Sequence, residues 1–587
     1  MIPANSPLVA ALSPYEQSDV LTTTTVTYSF MDAGISFDAG DVDGEPRTSV
    51  SWTQQQRDTV RDLFTYISTI VPLTFQEIAP EGTPNIQFAQ IPSFSDTTTG
   101  ISIPLAPGIS QIVVPTEYAN LNDVTLIHEI GHSLGLSHPF DGPANLPGVS
   151  DSEDLGSFSL NTELATRMSY TPGASAAHPT LDILGEAHSY GALDIAALQL
   201  LYGENTTTNQ GNTTYGDIPS LQTIWDTGGT DTIDFSGATT QATIDLRPAS
   251  LELEQGGGGY LSFISRAGGT QAQGGYTIAF GVEVENAIGG AGDDILTGNG
   301  GNNMLTGGGG DDMLTGGAGT DGAVFSGNQK SYTLTLSAAE TSVTDRRGGM
   351  DGRDVLSEIE TLVFGDSAEA PFNLAVFGGS MTLTAAQMES FVELYIAYFN
   401  RAPDAIGLNF WGTAYANGTT LQQMATLFID QDETRAIYAE GLSNTEFATT
   451  VYANVLGRAA DQEGFDFWVG VLDAGSVGRD QFILAVLDGA KAAPPSEATP
   501  EFIAQQLADR QYLSVKTDIG SYYSVIKGMS DVADAAAAMA LFDGSASGIS
   551  AAVSMIDQLY TEALDPTDGA FLMPLLGVLD DPFAAMA

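Results

Sequence analysis

The chain has 587 residues, with 73 acidic and 18 basic side chains and a formal net charge of −55 at pH 7. A chain of this length exceeds what one hydrophobic core can organise, so we predict about three or four domains. The strong negative charge repels nucleic acids and anionic membrane surfaces, which excludes both as partners. It favours binding of divalent cations and solubility at high salt. The absence of cysteine excludes disulfide bonds and thiolate metal sites.

The first twenty residues, MIPANSPLVAALSPYEQSDV, contain no basic segment, and proline interrupts their short apolar stretch. This pattern is not that of a signal peptide, and no run in the chain reaches the about 18 apolar residues of a membrane-spanning helix. We therefore predict an N-terminal extension over residues 1–20 and no transmembrane segment. The hypothesis that the residues before about Ser18 form a short propeptide rests on no sequence feature.

Residues 21–204 alternate strand-like and helix-like patterns. The predicted strands cover residues 25–30, 85–91 and 111–115. Apolar residues recur at helical spacing after Ser51, which we interpret as a helix-capping residue. The same spacing predicts a helix from about Leu121 to Gly135 and another that ends at Gly203. Alternating strands and helices predict an α/β (α+β) domain.

The segment HEIGHSLGLSH, which begins at His128, has the spacing of a zinc site. His128 and His132 lie four residues apart, so on a helix both imidazoles project from one face and can bind one ion. Gly135 can leave the helix through a left-handed backbone conformation, which lets the chain turn back and bring in His138 as a third ligand. Three neutral histidines leave a fourth position open, as a catalytic zinc site requires. Glu129 lies beside that ion and is predicted to be the general base that takes a proton from water.

The extended spacing HExxHxxGxxH is the signature of the metzincin metalloproteases, and the chain resembles this family. The run RMSYTPG, from Arg167, is similar to the Met-turn of metzincins and would place Met168 beneath the zinc as an apolar floor. Its Met-Ser-Tyr form resembles that of the serralysins. This resemblance implies that Tyr170 binds zinc in the resting enzyme and stabilises the oxyanion of the transition state. The segment YGALDIAALQLLYGEN also resembles a serralysin helix, and the likeness extends from about Thr25 to Ser326.

Residues 205–366 are rich in Gly, Asp and Thr and contain a nine-residue repeat. The copies are GGAGDDILT from Gly289, GNGGNNMLT from Gly298, GGGGDDMLT from Gly307 and GGAGTDGAV from Gly316. In such a repeat the glycine half turns and exposes carbonyl groups, whereas the second half is a short strand with one inward apolar residue. The predicted inward residues are Leu296, Leu305, Leu314 and Val324. The pattern predicts a parallel β-roll of RTX type with several structural Ca²⁺ ions, because hard oxygen ligands suit calcium.

The calcium ligands predicted from these repeats are glycine carbonyls and acidic or amide side chains. They are Gly290, Gly292, Asp294, Gly301, Asn303, Gly308, Gly310, Asp312, Gly317, Gly319 and Asp321. The second copy carries Asn303 in place of Asp and Asn299 in place of Gly, so we expect that turn to bind calcium more weakly. Without calcium the rows of Asp side chains should repel one another and the roll should unfold.

Two segments before the repeats, NQGNTTYG at 209–216 and WDTGGTDTIDFSG at 225–237, resemble the first calcium loops of serralysins. Position by position, the resemblance implies a first site formed by Asn209, Gly211, Thr213, Asp226, Gly228 and Asp231. It implies a second site formed by Gly229, Asp231 and Glu285, with Glu283 where the family often has Thr. Such rolls accompany type I secretion, in which the export signal is C-terminal and uncleaved. The resemblance therefore implies an extracellular bacterial protein exported by the type I secretion machinery.

The last part of the chain is predicted to be all-α. After a linker over residues 367–381, residues 382–500 contain a duplication, because YIAYFNRAPDAIGLNFW from Tyr395 matches YANVLGRAADQEGFDFW from Tyr452. The duplicated segment resembles a helical module of unknown function found beside RTX repeats in exported bacterial proteins. This module could attach the protease to a surface. Residues 501–587 are Ala-rich, predicted to be helical, and would carry the secretion signal.

Two pairs of residues recur at equivalent positions of the duplication. The pairs Arg401–Asp404 and Arg458–Asp461 are predicted to be structural ion pairs. We interpret Trp411 and Trp468 as core residues rather than as platforms for carbohydrate.

Together these features predict a secreted, calcium-stabilised zinc endopeptidase that acts on proteins and peptides. The alternative is a calcium-dependent surface or adhesion protein in which the protease fold is ancillary, but the intact zinc motif and Glu129 argue against it. A target-specific toxin would differ only in substrate range, which depends on the loops that line the cleft.

Overall fold

The computed structural model describes residues 2–3, 5–13, 21, 23–38, 46–94, 98–116, 123–141, 144–171, 182–184, 187–216, 220–266, 268, 271–439 and 441–586. The chain divides into two compact units. Unit 1 comprises Met1–Gly308 and Thr315–Asp321, and unit 2 comprises Gly309–Leu314 and Gly322–Ala587. No helix within the described ranges has the length and apolar character that a membrane crossing requires.

The helices of unit 1 flank a mixed sheet. They are α1 (Pro7–Leu12), α2 (Gln54–Ile70), α3 (Asp123–Ser133) and α4 (Ala192–Tyr202). The sheet strands are β1 (Thr25–Phe30), β4 (Thr74–Glu77), β5 (Ile86–Ile91), β6 (Ile101–Ala106) and β7 (Ile109–Pro115). Their order is β4-β1-β5-β7-β6, and the edge strand β6 alone runs antiparallel to its neighbour. The three predicted strands and the helix ending before Gly203 are therefore confirmed.

Helix α2 begins later than the sequence suggested. The hydroxyl of Thr53 accepts a hydrogen bond from the backbone N–H of Gln56, and Gln56 Oε1 accepts one from the N–H of Thr53 at 2.8 Å. This reciprocal capping box makes Thr53 the N-cap, so the prediction of Ser51 as the cap is wrong. Ser51 also has a glutamine three residues on, Gln54, so the sequence spacing alone does not distinguish the two possible caps.

The N-terminal helix α1 is packed into unit 1. Its Leu8 and Leu12 are fully buried, and Ser6 Oγ, just before the helix, donates to the carbonyl oxygen of Leu251 at 2.8 Å. The described part of the N-terminal extension therefore contributes to the core. Cleavage near Ser18 stays a prediction, since that residue lies outside the described residues.

The remaining described strands of unit 1 are short, and most of them belong to the roll. They are β2 (Ser36–Phe37), β3 (Arg47–Thr48), β8 (Asp182–Leu184), β9 (Thr214–Tyr215), β10 (Leu221–Ile224), β11 (Thr232–Asp234), β12 (Ala242–Asp245), β13 (Phe263–Ile264), β14 (Gln271–Gln273), β15 (Gly275–Ile278), β16 (Asn286–Ile288), β17 (Ile295–Thr297) and β18 (Met304–Thr306). Strands β9, β11, β16 and β18 form one parallel ladder, and β12 and β17 form another. The next strand, β19 (Met313–Thr315), has residues in both units.

In each repeat of the roll, the inward residue lies at a fixed distance after the Asp or Asn. Leu296, Leu305 and Leu314 are buried, as predicted. In the fourth copy Ala323 is fully buried and Val324 only half-buried, so the prediction of Val324 is wrong. The inward residue lies two positions after the Asp or Asn in every copy, and in the fourth copy that position is Ala323.

Unit 2 combines short strands with a large helical region. Its strands are β20 (Gly322–Val324), β21 (Tyr332–Ser337), β22 (Thr341–Asp345), β23 (Arg353–Ser357), β24 (Thr361–Val363), β25 (Phe372–Asn373) and β26 (Leu575–Leu576). Its helices are α5 (Ala385–Phe399), α6 (Ala405–Ala416), α7 (Leu421–Ile429), α8 (Asp432–Ile437), α9 (Asn444–Leu456), α10 (Gln462–Asp473), α11 (Arg479–Lys491), α12 (Pro500–Ser521), α13 (Val532–Ala540) and α14 (Ala546–Ala563), with a π-helical turn over Tyr522–Ile526.

Two features of unit 2 add detail to the predicted fold class. Strands β21, β22 and β23 pair antiparallel, so the end of the segment 205–366 is not a parallel roll. The C-terminal region is helical, as predicted, and adds the two-residue strand β26, which pairs in parallel with β21. The N–H groups of Leu334 and Leu336 on β21 donate to the carbonyl oxygens of Leu572 and Pro574, which satisfies an otherwise open sheet edge.

One of the two predicted arginine ion pairs is present. Arg401 pairs with Asp404 at 3.6 Å, as predicted, and also forms a bidentate pair with Glu433, at 2.6 and 2.9 Å. Arg458 pairs with Asp509 on α12 through two bonds of 2.6 Å, so the prediction of Asp461 as its partner is wrong. The side chains of Asp404 and Asp461 also serve as helix N-caps, accepting from the N–H groups of residues 407 and 464.

Candidate metal centre

Three imidazoles converge in unit 1. Helix α3 carries His128 and His132, and the chain leaves it at Gly135, whose φ of 97° lies in the left-handed region. The Nε2 atom of His138 lies 3.1 Å from Nε2 of His128 and 3.1 Å from Nε2 of His132. Nitrogen ligands at zinc distances in tetrahedral geometry are about 3.3 Å apart. The three side chains form the one group of potential metal ligands found among the described His, Asp and Glu residues, and their spacing fits a single ion.

The second ring nitrogen, Nδ1, of each of the three histidines contacts an oxygen atom. Nδ1 of His128 donates to the carbonyl oxygen of Arg167 and Nδ1 of His132 to that of Leu136, both at 2.9 Å. Nδ1 of His138 contacts the carboxylate of Asp141. These contacts place the ring proton on Nδ1 and leave the Nε2 lone pairs free to converge.

Burial keeps the α3 histidines neutral. It lowers the pKa of His128 well below its ordinary value and that of His132 to about 4, and the neighbouring imidazoles add to both shifts. Neutral imidazole is the metal-binding form. The donor set therefore suits zinc.

Glu129 lies next to this cluster and is buried, with 5% of its surface exposed. Burial raises the pKa of its carboxyl group to about 8, although the backbone N–H of Ser102 on β6 donates to it. The absence of a side chain at Gly100 lets the backbone pass close to Glu129. A Cβ at this position would lie only 3.0 Å from Glu129 Cγ. A buried carboxyl group with a raised pKa, at the edge of a cleft, is the arrangement of a general base.

Tyr170 is more exposed, at 57%, and its Oη lies 2.7 Å from Nε2 of His138. Burial of the hydroxyl raises its pKa to about 12, and the negative charge of Glu129 adds to the shift. The phenol therefore stays protonated at neutral pH and can donate a hydrogen bond beside the position where the imidazoles converge.

Met168 lies fully buried beneath α3. A Cβ at Gly131 would lie 2.9 Å from Met168 Sδ, so the glycine within the zinc motif allows this close packing. The loop that carries Met168 is held in place by Asp194, a fully buried residue of α4. Its carboxylate accepts from Thr166 Oγ1 at 2.6 Å and from the N–H of Arg167 at 2.5 Å.

Asp194 and Asp141 are absent from the sequence-based set of site residues. Asp194 acts across a tertiary contact that no local spacing reveals. Asp141, three residues after the third histidine, could have been found by asking which carboxylate can reach the free ring nitrogen.

His132 and His138 open onto a cleft of about 720 Å³. Its walls include the edge strand β6, the segment from Pro107 to Ser110, and the helix end at Ser133 and Leu134, with Tyr202 opposite. Glu129, Asp141 and Tyr170 accompany His132 and His138 in this lining. The volume of the cleft lies within the range of about 300–1,000 Å³ that is typical of ligand sites.

The first proposed calcium loops bring buried carboxylates together. Asp231 is 1% exposed, and its Oδ1 accepts from the N–H of Thr213 at 2.8 Å. Its Oδ2 is buried and has no hydrogen-bond donor among the described residues. The N–H of Asp231 donates to Glu285 Oε2 at 2.6 Å, whereas Glu283 is exposed. An orphaned buried carboxylate oxygen beside other oxygens is the donor set that a hard cation requires.

The other calcium ligands predicted near Asp231 differ in their burial. Asp226 is buried and accepts from Tyr215 Oη at 2.6 Å and from the N–H of Gly228 at 3.0 Å. A Cβ at Gly229 would lie 2.6 Å from the carbonyl oxygen of Gly211, so the two loops face each other closely. Asn209 is exposed, with a left-handed φ of 51°.

Glycine allows equally close approach between the turns of the repeats in unit 1. A Cβ would collide with a neighbouring carbonyl oxygen at Gly290, Gly308, Gly317 and Gly319, with the backbone at residues 240–241 at Gly292, and would approach Asn299 Oδ1 at Gly301. Asp294 accepts from the N–H of Gly290 at 2.5 Å, and Asn303 accepts from that of Asn299 at 2.7 Å. The N–H of Asn303 donates to Asp321 Oδ1 at 2.7 Å.

Unit 2 contains a facing pair of carboxylates. Asp354 is 2% exposed, and its Oδ1 accepts from the N–H of Asp312 at 3.1 Å. Burial, together with the charge of Asp312, raises the pKa of Asp354 to about 8. A Cβ at Gly352 would collide with the carbonyl oxygen of Gly310, as between the turns of unit 1. The sequence search missed Asp354 because its segment, GGMDGRD, breaks the nine-residue period.

Two stretches of the chain match known protein families. Residues 192–418 match the family described as Peptidase M10 serralysin C terminal, and residues 425–493 match a domain of unknown function, DUF4214. Metallopeptidase AprA of Pseudomonas marginalis is 33% identical over 39% of this chain and 51% of its own length. Serralysin of Proteus mirabilis is 36% identical, over 31% of this chain and 36% of its own. Serralysin B of Dickeya chrysanthemi is 32% identical, over 38% and 49% respectively. The chain thus spans about half the length, or less, of these curated relatives.

Proposed function

We propose, from the likeness of the chain to serralysin-type metalloproteases with an added DUF4214 domain, that it is an extracellular zinc endopeptidase. Its substrates would be peptide bonds of proteins that enter the cleft beside β6. The observation that carries this proposal is the convergence of three Nε2 atoms next to a buried glutamate. His128, His132 and His138 would hold the ion, and Tyr170 would be the fourth protein ligand of the resting enzyme.

When bound, zinc supplies Lewis acidity, which acidifies a water molecule and polarises the substrate carbonyl. The protein residues provide the remaining chemistry. Glu129 accepts the proton of the attacking water at its carboxylate and passes it to the leaving amine. Tyr170 Oη donates a hydrogen bond to the oxyanion that develops on the substrate. Asp141 and the carbonyl of Arg167 hold the rings of His138 and His128 in the required orientation.

The buried carboxylates of the two units support a further part of the proposal, namely structural calcium in the repeat loops. The buried Asp231 oxygen without a donor and the facing pair Asp312 and Asp354 are unfavourable unless a cation or a proton neutralises them. We also propose export through the type I secretion machinery, followed by folding in external calcium.

Substitution of Glu129 tests the catalytic assignment. The variant Glu129→Gln should keep about one zinc per chain, because no ligand is altered, and should lose about 10²- to 10⁴-fold in kcat for casein hydrolysis. The matched control is Glu81→Gln, the same change at an exposed site, which should leave both quantities unchanged. Normal cleavage by folded Glu129→Gln protein would refute the proposed function.

A further inference from the structure

The helical region of unit 2 contains a cavity of about 400 Å³ that has no part in peptide hydrolysis. It lies within the first copy of the duplication, which we call helical repeat 1 and which comprises α5 to α8 (residues 385–437). Its volume is in the range of about 300–1,000 Å³ typical of small-molecule sites. The notable feature of this cavity is the combination of aromatic walls with polar groups that can bond with a ligand.

The walls of the cavity are aromatic. Phe428 lies at the centre, with ring centroids 5.3 Å from Trp411, 5.0 Å from Phe399 and 5.3 Å from Tyr395. Trp411 is only half-buried, which departs from its sequence-based interpretation as a core residue. One part of the indole packs on Phe428 and the other faces the cavity. An aromatic surface of this kind accepts the apolar face of a ligand.

Two hydrogen-bonding groups in these walls have no partner within the described part of the chain. The hydroxyl of Tyr395 and the indole N–H of Trp411 make no hydrogen bond to a described residue, and both residues line the cavity. In the empty cavity these groups can bond with water, which a ligand hydroxyl can replace. Both groups line the cavity and are positioned to bond with a molecule inside it.

The charges around the cavity restrict the ligand. Four carboxylates and two guanidinium groups line it, namely Asp404, Asp430, Asp432, Glu433, Arg401 and Arg435. The excess of carboxylates disfavours an anionic ligand. Arg401 forms ion pairs with Asp404 and Glu433, and Arg435 with Asp430 and Asp432, so each of the four carboxylates already has a cationic partner. This pairing reduces the attraction of the rim for a cationic ligand.

We propose that this cavity binds an uncharged saccharide. One face of a sugar ring carries C–H groups, which can pack on the indole of Trp411. Its hydroxyl groups can accept from Tyr395 Oη and Trp411 Nε1 and donate to the carboxylates of the rim. The site gives the helical module a role that is separate from catalysis, since binding to a glycan would hold the chain at a surface that displays it.

The second copy of the duplication, helical repeat 2 (α9 to α11, residues 444–491), serves as an internal control. Its Trp468 packs on Phe482 at the same centroid distance, 5.3 Å. The acid that binds its arginine comes from the distant α12, and the chain after α11 reads AAPPSEAT instead of the acidic DQDE that borders the cavity of helical repeat 1. We therefore assign the site to helical repeat 1 alone.

The test uses the full chain with calcium and a panel of neutral mono- and disaccharides built from glucose, galactose, mannose and N-acetylglucosamine. Saturation-transfer NMR at about 10 mM sugar detects millimolar dissociation constants, and titration calorimetry then measures the affinity. At least one sugar should bind. Trp411→Ala should weaken binding by at least about tenfold, and Tyr395→Phe, which removes one oxygen atom, by about three- to tenfold. Trp468→Ala should leave the affinity within about twofold.

The proposal is overturned if no sugar of the panel binds, or if Tyr395→Phe and Trp411→Ala bind as tightly as the unaltered chain. It is also overturned if glucuronate or arginine methyl ester binds at this cavity more tightly than every neutral sugar. Tyr395→Phe decides the question if Trp411→Ala does not fold, because the ring that packs on Phe428 is retained. Circular dichroism of each variant shows which case applies.

Discussion

Replacing Asp354 by asparagine should stabilise unit 2 when calcium is absent and destabilise it when calcium is bound. The carboxyl group is buried, and burial with the charge of Asp312 raises its pKa to about 8. A folded-state pKa above the unfolded value means that the folded chain binds more protons. Stability is therefore fully present below the unfolded pKa and is lost as the pH rises towards 8.

The size of the expected stability change follows from the pKa shift of Asp354. At pH 7 the solution lies about 3 pH units above the ordinary pKa of an aspartate, which corresponds to at most about 4 kcal/mol of destabilisation. Asparagine removes this penalty, and its Oδ1 can still accept from the N–H of Asp312. Without calcium we expect Asp354→Asn to raise the free energy of unfolding of unit 2 by about 2–4 kcal/mol. With calcium bound, the loss of a charged ligand should lower that free energy.

Hydrogen exchange followed by mass spectrometry measures this locally, from peptides that cover β23, at pH 7 in chelator and in millimolar calcium. The control is Asp466→Asn, the same change at an exposed site of unit 2, which should have little effect in either condition. The reasoning is refuted if Asp354→Asn changes the protection of β23 in the same direction with and without calcium.

The remaining predictions concern the zinc centre. Asp141→Asn should weaken zinc binding about 10- to 100-fold in competition with a chromogenic chelator, because His138 loses its orienting carboxylate, and Asp151→Asn, at an exposed position, should not. Tyr170→Phe should lower kcat about 10²-fold or more with little change in zinc content, and an unchanged kcat would exclude the hydroxyl as an oxyanion donor. Gly131→Ala should destabilise unit 1 by about 1–3 kcal/mol in urea unfolding, because its Cβ would meet Met168 Sδ, whereas Gly237→Ala, with open space around it, should not.

The zinc centre could be anticipated from the sequence because its ligands are local. His128 and His132 share a helix face, and Gly135 supplies the turn that returns His138, so spacing alone brings three nitrogens together. The residues that orient this site come from elsewhere in unit 1. Asp194 reaches the Met168 loop from α4, and no periodicity links the two segments.

The errors of sequence analysis also have physical causes. The prediction of Val324 fails because the register set by the preceding aspartate places Ala323, two residues after Asp321, at the inward position. Arg458 was paired with the nearest carboxylate in sequence, whereas that carboxylate caps a helix and the arginine reaches Asp509 on α12. The strand β26 is two residues long and forms only because β21 offers an open edge.

The central claim is that this chain is a zinc-dependent endopeptidase, and metal analysis combined with an activity assay on one preparation tests it most directly. The purified full chain, folded in calcium, should contain about one zinc per chain and should cleave casein. Removal of zinc by a chelator that spares calcium should abolish cleavage, and one equivalent of zinc should restore it. A folded chain that binds no zinc, or that cleaves casein equally well after zinc removal, would contradict the account.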